Sequence, residues 1–318
     1  MKILVTGGAG FIGSHLVRRL IRENTGAITV LDNLVRGNVD RFSGDRHAID
    51  FVHGDVRDRD LLDRILRGVD IVYHLAAKSS VMGAAEDLEG AFSSNVTGTF
   101  NVMHAAQENG AKRFVFTSSR EVYGDCSDLP VSEGAPLRPK NSYGASKAAG
   151  EMSCAMFAGN GLRTAVLRLT NVYGPDDEGR VLPMFIQNAL LGCPLVLYGG
   201  EQIVDFVWIE TVVDALVHAG LGDGTPGPVN VGSGKGVTIA ELAKRVIAAT
   251  GSQSALQIEP SRGVEVRRFV ADITKAKGLF AIDSPADPLF AIDYLVECAR
   301  RELLPANELT AECLSLTD

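Results

Sequence analysis

The 318-residue sequence predicts an α/β fold, a doubly wound parallel sheet followed by a smaller α/β part. Short apolar runs alternate with helical spacing through the first half, the connections are short, and a glycine turn follows the first run. Residues 3–5 form the first predicted strand. Gly7-Gly8-Ala9-Gly10-Phe11-Ile12-Gly13 then turns the chain into a helix with Phe11, Ile12, Leu16, Leu20 and Ile21 at helical spacing. Gly7 permits a tight turn, Gly10 lets backbone approach a pyrophosphate, and Gly13 lets the helix pack closely on the strand. Free amides and the dipole at the helix start favour an anion there. A glycine turn is also useful without any ligand, and the next strand decides between the readings. Residues 28–31 end at Asp32, nineteen positions after Gly13. A carboxylate there accepts from the hydroxyls of an adenosine ribose and disfavours an added phosphate, although Arg36 stands close by.

The alternation continues with a strand at 49–52, a helix at 61–66 and a strand at 71–75. Asp55, in Gly54-Asp55-Val56, either accepts from an adenine amino group or caps the helix that follows. Leu75, Ala76 and Ala77 make a small-residue floor. A long helix is expected over 95–109 and a strand over 113–116, which leaves Thr117, Ser118 and Ser119 at its carboxyl end, where such sheets bind ligands. Tyr143 and Lys147, four residues apart on one helical face, set an ammonium beside a phenol and favour its ionised form. Ser119 offers a hydroxyl to the same reacting oxygen.

Composition narrows the function classes. A net charge of -8 without basic clusters argues against general nucleic-acid or anionic-membrane binding. The six histidines form no metal-ligand pattern, so no metal is expected. The five cysteines are scattered without Cys-x-x-Cys spacing and read as reduced thiols. With no apolar run of roughly 20 residues and no signal-peptide pattern, a cytoplasmic protein is expected.

Gly7-x-x-Gly10-x-x-Gly13, Asp32, Ser119 and Tyr143-x-x-x-Lys147 together resemble the extended short-chain dehydrogenase/reductase family, in its nucleotide-sugar epimerase and dehydratase branch. The likeness spans residues 1–280. It implies a Rossmann-type NAD-binding domain over 1–170, a mainly substrate-binding part over 171–318 with some chain returning to the sheet, and a homodimer. Tyr143 would be the base, Ser119 its hydrogen-bonding partner, and Lys147 the ligand of the nicotinamide ribose. The resemblance assigns NAD to Gly7, Gly10, Phe11, Ile12, Gly13, Asp32, Asn33, Asp55, Val56, Leu75, Ala76 and Ala77, besides Tyr143 and Lys147. It assigns a UDP-linked sugar to Lys78, Ser119, Tyr143, Asn171, Val181, Leu182 and Arg267. Val181-Leu182-Pro183-Met184 starts a helix, and 205–208 resembles the family's next strand. The arginine usual before Asp205 is Val204 here, and Arg262 is a candidate replacement. Gly232-Ser233-Gly234-Lys235-Gly236 lacks Walker spacing and reads as a turn before a helix at 239–249. Residues 279–288 depart from the family pattern.

The family chemistry begins with Tyr143 removing a proton from the sugar C4 hydroxyl as that carbon gives hydride to the nicotinamide. Rotation of the keto sugar then gives the C4 epimer, proton loss at C5 gives dehydration, and a C5 carboxylate permits decarboxylation. Glu121 keeps dehydration open as a base, but Arg120 fits neither other pattern and Asp176 stands where decarboxylases carry arginine. The expectation is therefore a UDP-hexose 4-epimerase acting on glucose/galactose, N-acetylhexosamine or hexuronate. A dehydratase using Glu121 and a non-catalytic NAD-binding regulator are the alternatives.

Overall fold

In the computed structural model, which describes residues 1–222 and 227–303, strand and helix alternate as the apolar spacing requires. β1 (Lys2–Thr6) passes through the glycine turn into α1 (Phe11–Arg22), followed by β2 (Ala27–Asp32), β3 (Ile49–His53), α2 (Arg59–Ile65) and β4 (Ile71–His74). Short α3 (Val81–Glu86) and α4 (Leu88–Phe92) precede α5 (Thr99–Glu108), β5 (Arg113–Ser119), α6 (Ser142–Gly159) and β6 (Arg163–Leu169). The single helix expected over 95–109 is instead a wide π turn, Ser93–Gly98, that runs into α5. Asn95 turns inward there to bond the Lys78 amide and carbonyl and the Ser146 hydroxyl, and such widened turns recur where a helix must aim one side chain.

Seven parallel strands form the main sheet in the order β3, β2, β1, β4, β5, β6 and then a late strand, β10 (Val229–Val231). Central β4 and β5 are buried along their whole length, whereas the edge strand β3 is half open. This is the near-continuous apolar character of a sheet covered on both faces. α1 puts Leu16, Val17 and Leu20 into one face, while Leu62, Val102 and Phe157 fill the other. Each such side chain contributes about 1.5–3 kcal/mol by leaving water. Strand order reverses between β1 and β4, and this opens a crevice at their carboxyl ends.

The second half runs β7 (Asn171–Tyr173), α7 (Val181–Leu190), β8 (Leu195–Tyr198), β9 (Ile203–Trp208), α8 (Ile209–Leu221) and β10 (Val229–Val231). It continues with β11 (Gly236–Thr238), α9 (Ile239–Thr250), β12 (Leu256–Glu259), α10 (Thr274–Phe280) and α11 (Ile292–Leu303). β10 lies beside β6 in the main sheet, and α8 and α10 pack into the core beneath it. The remaining elements surround a separate core with two small sheets, β11-β9-β7 and β12-β8.

A buried carboxylate organises the glycine-rich stretch at 232–236. Asp205 accepts from the Ser233 amide and hydroxyl, both at 2.7 Å, from the Gly234 amide at 3.1 Å and from the Ala271 amide at 3.0 Å. The stretch is thus a turn, but it enters the short strand β11 before α9 rather than α9 directly. Cys193 is disulfide-bonded, against the expectation of five reduced thiols, while Cys126, Cys154 and Cys298 are free. Among the described residues no helix is long and apolar enough to cross a membrane, and no cluster could hold a metal ion.

Candidate active site

The crevice has one wall made of backbone. Gly7 has φ +68°, and a Cβ there would lie 2.6 Å from the Ala76 amide nitrogen, so the turn after β1 and the end of β4 touch directly. At Gly13 a Cβ would lie 2.2 Å from the Gly7 carbonyl oxygen. α1 starts at Gly10 with no side-chain cap and no acidic residue in its first turn. Its amides and positive dipole end therefore remain available to a pyrophosphate. Asp32 accepts from the Ala9 amide at 3.0 Å and the Leu34 amide at 2.9 Å, which ties the glycine turn to the end of β2. Uncapped amides, absent Cβ atoms and a carboxylate at the second strand's end suit an adenine dinucleotide.

Around this wall Phe11 meets His15 edge-on at 5.7 Å, and Ile12 and Leu75 pack on the core. Ala76 joins the opposite core, and Ala77 is half-buried. Val56 has its side chain in the core against Gly98, which leaves only its backbone to face a ligand. Asn33 donates to Asp55 at 2.9 Å. Asp55 is gripped by the Arg57 side chain through two bonds of 2.8 Å, which hold its pKa down to about 2. It does not cap the next helix; Asp58 does, accepting from the Leu61 amide at 3.0 Å. The sequence offers several acidic residues at that corner, and only the backbone path selects one.

The opposite wall is made of side chains on β5 and α6. Asn141 caps α6 by accepting from the Gly144 amide at 2.8 Å, and this sets the helix phase that aims Tyr143, Lys147 and Glu151 along one line. Ser119 hydrogen-bonds the Tyr143 hydroxyl. Tyr143 as a residue is half-buried, but atoms crowd its hydroxyl and burial pushes its pKa up to about 12. Arg180 supplies the largest opposing charge, Glu121 acts against it, and the Ser119 bond favours ionisation. Lys147 donates to the Thr117 carbonyl at 2.8 Å, its Nζ lies 5.9 Å from the Tyr143 ring centre, and burial lowers its pKa to about 8. Behind it Arg168 clamps Glu151 with bonds of 2.9 and 2.6 Å and donates to the Tyr123 hydroxyl at 2.8 Å.

Glu121 is buried, with both carboxylate oxygens occupied. Arg120 pairs with one at 2.9 Å and Asn141 donates to the other at 2.7 Å. The Arg120 Nε also donates to the Asn171 side chain at 2.8 Å, while its Nη1 is buried without a hydrogen-bond partner among the described residues. Lys78 is paired with Asp87 at 2.6 Å. Val181 is half-buried, but Leu182 is 1% exposed and packs into the second core, so its side chain cannot line a nucleotide without repacking. Val204 lies in the same core. Arg267 is exposed and its amide donates to Asp125, while Arg262 stacks on Tyr198 at 3.7 Å.

The structure also brings in residues to which sequence reasoning gave no place in the site. The segment 175–180 straps across the glycine turn. His15 bonds the Pro175 carbonyl at 3.0 Å, Arg18 pairs with Asp176 at 2.6 Å, and Arg41 joins the Ala9 carbonyl at 2.9 Å to the Asp176 carbonyl at 3.1 Å and to Glu178 at 3.0 Å. One signal was available: Arg180 stands at the start of a helix, where a cation is disfavoured.

Residues 3–232 match the family described as the NAD dependent epimerase/dehydratase family. The chain is 36% identical over 285 residues to a putative UDP-glucose 4-epimerase of Methanocaldococcus jannaschii, covering 87% of this chain and 92% of that one. It superposes with a TM-score of 0.90 and 32% identity on the UDP-glucose 4-epimerase of Thermotoga maritima solved with UDP-glucose, covering 95% and 100% of the two chains. A TM-score of 0.91 and 31% identity relate it to the dTDP-glucose 4,6-dehydratase DesIV of Streptomyces venezuelae solved with NAD, with 95% and 98% covered. With a matching family pattern over most of its length, a dinucleotide crevice and a Ser119-Tyr143-Lys147 wall opposite it, the chain belongs to the NAD dependent epimerase/dehydratase family.

Proposed function

We propose that the protein is a UDP-hexose 4-epimerase that works through a transient 4-keto sugar. One observation carries the choice within the family: Ser119, Tyr143 and Lys147 are assembled, while both oxygens of Glu121 are held by Arg120 and Asn141. A dehydratase needs a group free to take the C5 proton, and Glu121 is occupied as a structural carboxylate. Bound NAD supplies reversible hydride acceptance at the sugar C4. Tyr143, as phenolate, takes the proton of the C4 hydroxyl and returns it after the sugar has turned over. Ser119 hydrogen-bonds the same oxygen, and Lys147 holds the ribose side of the cofactor. Gly7, Gly10, Gly13 and Asp32 bind the dinucleotide, and Asn171, Val181 and Arg267 border the nucleotide sugar. The two-part division near residue 170 belongs to the same reading, with the second part supplying most of the substrate contacts.

Purified protein incubated with UDP-glucose, UDP-N-acetylglucosamine and UDP-glucuronate is expected to give C4 epimers by NMR. A 4-keto-6-deoxy sugar or a pentose as product would overturn the reading. Tyr143→Phe is expected to lower turnover at least about 100-fold with NAD still bound. A dehydratase is the second reading, favoured by the likeness to DesIV, and the same NMR experiment separates the two.

The reading includes a homodimer. Leu88 and Phe92 on α4, Phe100 on α5, and Met152 and Met156 on α6 are exposed on neighbouring helices, and large apolar side chains gathered in one exposed region mark a protein–protein surface. Sedimentation at twice the chain mass is the expected result. It also takes the enzyme to be cytoplasmic, which the free thiols of Cys126, Cys154 and Cys298 support and the disulfide of Cys193 opposes; cell fractionation tests this.

A further inference from the structure

The three residues that end β5 each bond to a different turn of α6. The Ser119 hydroxyl bonds that of Tyr143, the Thr117 carbonyl accepts from Lys147 at 2.8 Å, and the Ser118 hydroxyl donates to Glu151 at 2.5 Å. Tyr143, Lys147 and Glu151 are spaced by four and share one helical face. The proton transfer uses the first two of these contacts, and the third, between two buried side chains, has no part in it.

Close packing brings α6 to the strand without fixing its register. A Cβ on Gly150 would lie 2.4 Å from Cζ of Phe116, and one on Gly144 would lie 2.4 Å from the Glu121 carbonyl oxygen, so helix and strand touch at both glycines. Such contact sets how near the two elements lie and is weakly directional along the strand. Hydrogen bonds supply the direction.

Glu151 suits that task because it is itself immobilised. Ser118 on β5 stands opposite Arg168 on β6, so both side chains leave the same face of the sheet. Arg168 donates to the two Glu151 oxygens at 2.9 and 2.6 Å, and also to the Tyr123 hydroxyl at 2.8 Å and the Glu133 carbonyl at 3.1 Å. Oε1 of Glu151 therefore serves the Arg168 Nε and the Ser118 hydroxyl together. The end of β5 is tied through it to a fixed point.

We propose that Glu151 is a positioning residue for the epimerisation, which through Ser118 fixes the end of β5 against α6 and so holds the Ser119 hydroxyl and the Thr117 carbonyl in place beside Tyr143 and Lys147. The inference rests on Tyr143 being the base. Glu151 exchanges no proton in the step, since its charge is taken up by Arg168.

The experiment compares kcat with stability in variants of the NAD-loaded enzyme acting on UDP-glucose. Ser118→Ala removes the bond to Glu151 and leaves the pair with Arg168 whole. Its kcat is expected to fall about tenfold, because a misplacement of a fraction of an ångström suffices, while KM and the urea midpoint stay near those of the wild type. The deuterium isotope effect from UDP-glucose labelled at C4 is expected to rise as hydride transfer slows. Glu151→Gln gives the converse, since its amide oxygen can stand in for Oε1: kcat is expected to stay within about threefold of the wild type while the urea midpoint falls with the lost ion pair. An unchanged kcat in Ser118→Ala, or a kcat that follows the urea midpoint through both variants, would overturn the proposal. Should Ser118→Ala not fold, Glu151→Leu with Arg168→Met decides, because it refills the interior and offers Ser118 no acceptor. A kcat still about tenfold low supports the proposal there, and a wild-type kcat overturns it. An active Tyr143→Phe enzyme would instead remove the underlying reading, so the two failures are distinguishable.

Discussion

The two walls of the crevice are built on different principles. The dinucleotide wall is backbone: Gly7 against Ala76, Gly13 against the Gly7 carbonyl, and Asp32 holding the amides of Ala9 and Leu34. The wall that carries Tyr143 is buried charge: Lys147, Glu151 and Arg168 behind it, and the Arg120-Glu121 pair beside it. A backbone wall tolerates no added atom but needs no neutralisation. A charged wall accepts changes of shape, yet fails when one partner of a pair is removed, because the survivor remains in a poorly solvating interior.

Three variants test that contrast. Glu151→Ala leaves Arg168 without its two-pronged partner and is expected to cost about 3–5 kcal/mol in urea unfolding. Replacing both, as Glu151→Leu with Arg168→Met, should recover most of that loss; a double variant no better than the single would show that the wall depends on shape rather than charge. Gly13→Ala comes next. The new methyl must displace the Gly7 carbonyl, so a loss of about 1–3 kcal/mol is expected, together with loss of NAD on gel filtration. Retention of NAD at wild-type levels would break the backbone account.

The smallest effect belongs to Asp55, just after the edge strand β3 on the dinucleotide side. Its folded pKa, held to about 2 chiefly by the Arg57 hydrogen bonds, lies below the ordinary 3.8. A depressed acid contributes stability above its unfolded pKa and loses that contribution as pH falls through the folded value. Asp55→Asn should therefore cost less than about 1 kcal/mol at neutral pH, since Arg57 is half-exposed, and the gap should close between roughly pH 4 and pH 2. Urea midpoints across that range read it out; a gap independent of pH would assign the effect to packing.

The same contrast explains what was legible in the sequence. Constraints on the backbone wall select a residue type at a fixed spacing, so Gly7, Gly10, Gly13 and Asp32 declare themselves in one dimension. The Tyr143 and Lys147 pair is equally local, because one helix sets their separation. Glu121 was ambiguous because its partners are a neighbour, Arg120, and a residue twenty positions away, Asn141, and nothing in the spacing says that both will bind it. The strap was invisible for the same reason: Arg18, Arg41 and Asp176 meet only after the sheet has formed. The cap alternative for Asp55 fell to Asp58, since the exact start of α2 depends on the loop before it.

The return of β10 to the main sheet has a further consequence. The chain crosses between the two parts after β6, after β9, after β10, after β12 and after α10. The Thr170 amide, at the first crossing, bonds the Val231 carbonyl at the third with a distance of 3.0 Å. A protease cutting at one of the three inner crossings would leave two fragments, each with pieces in both parts, still interleaved through the remaining passes. The parts are thus woven rather than strung together, and neither can be inherited, truncated or exchanged as a cassette without unpicking the other.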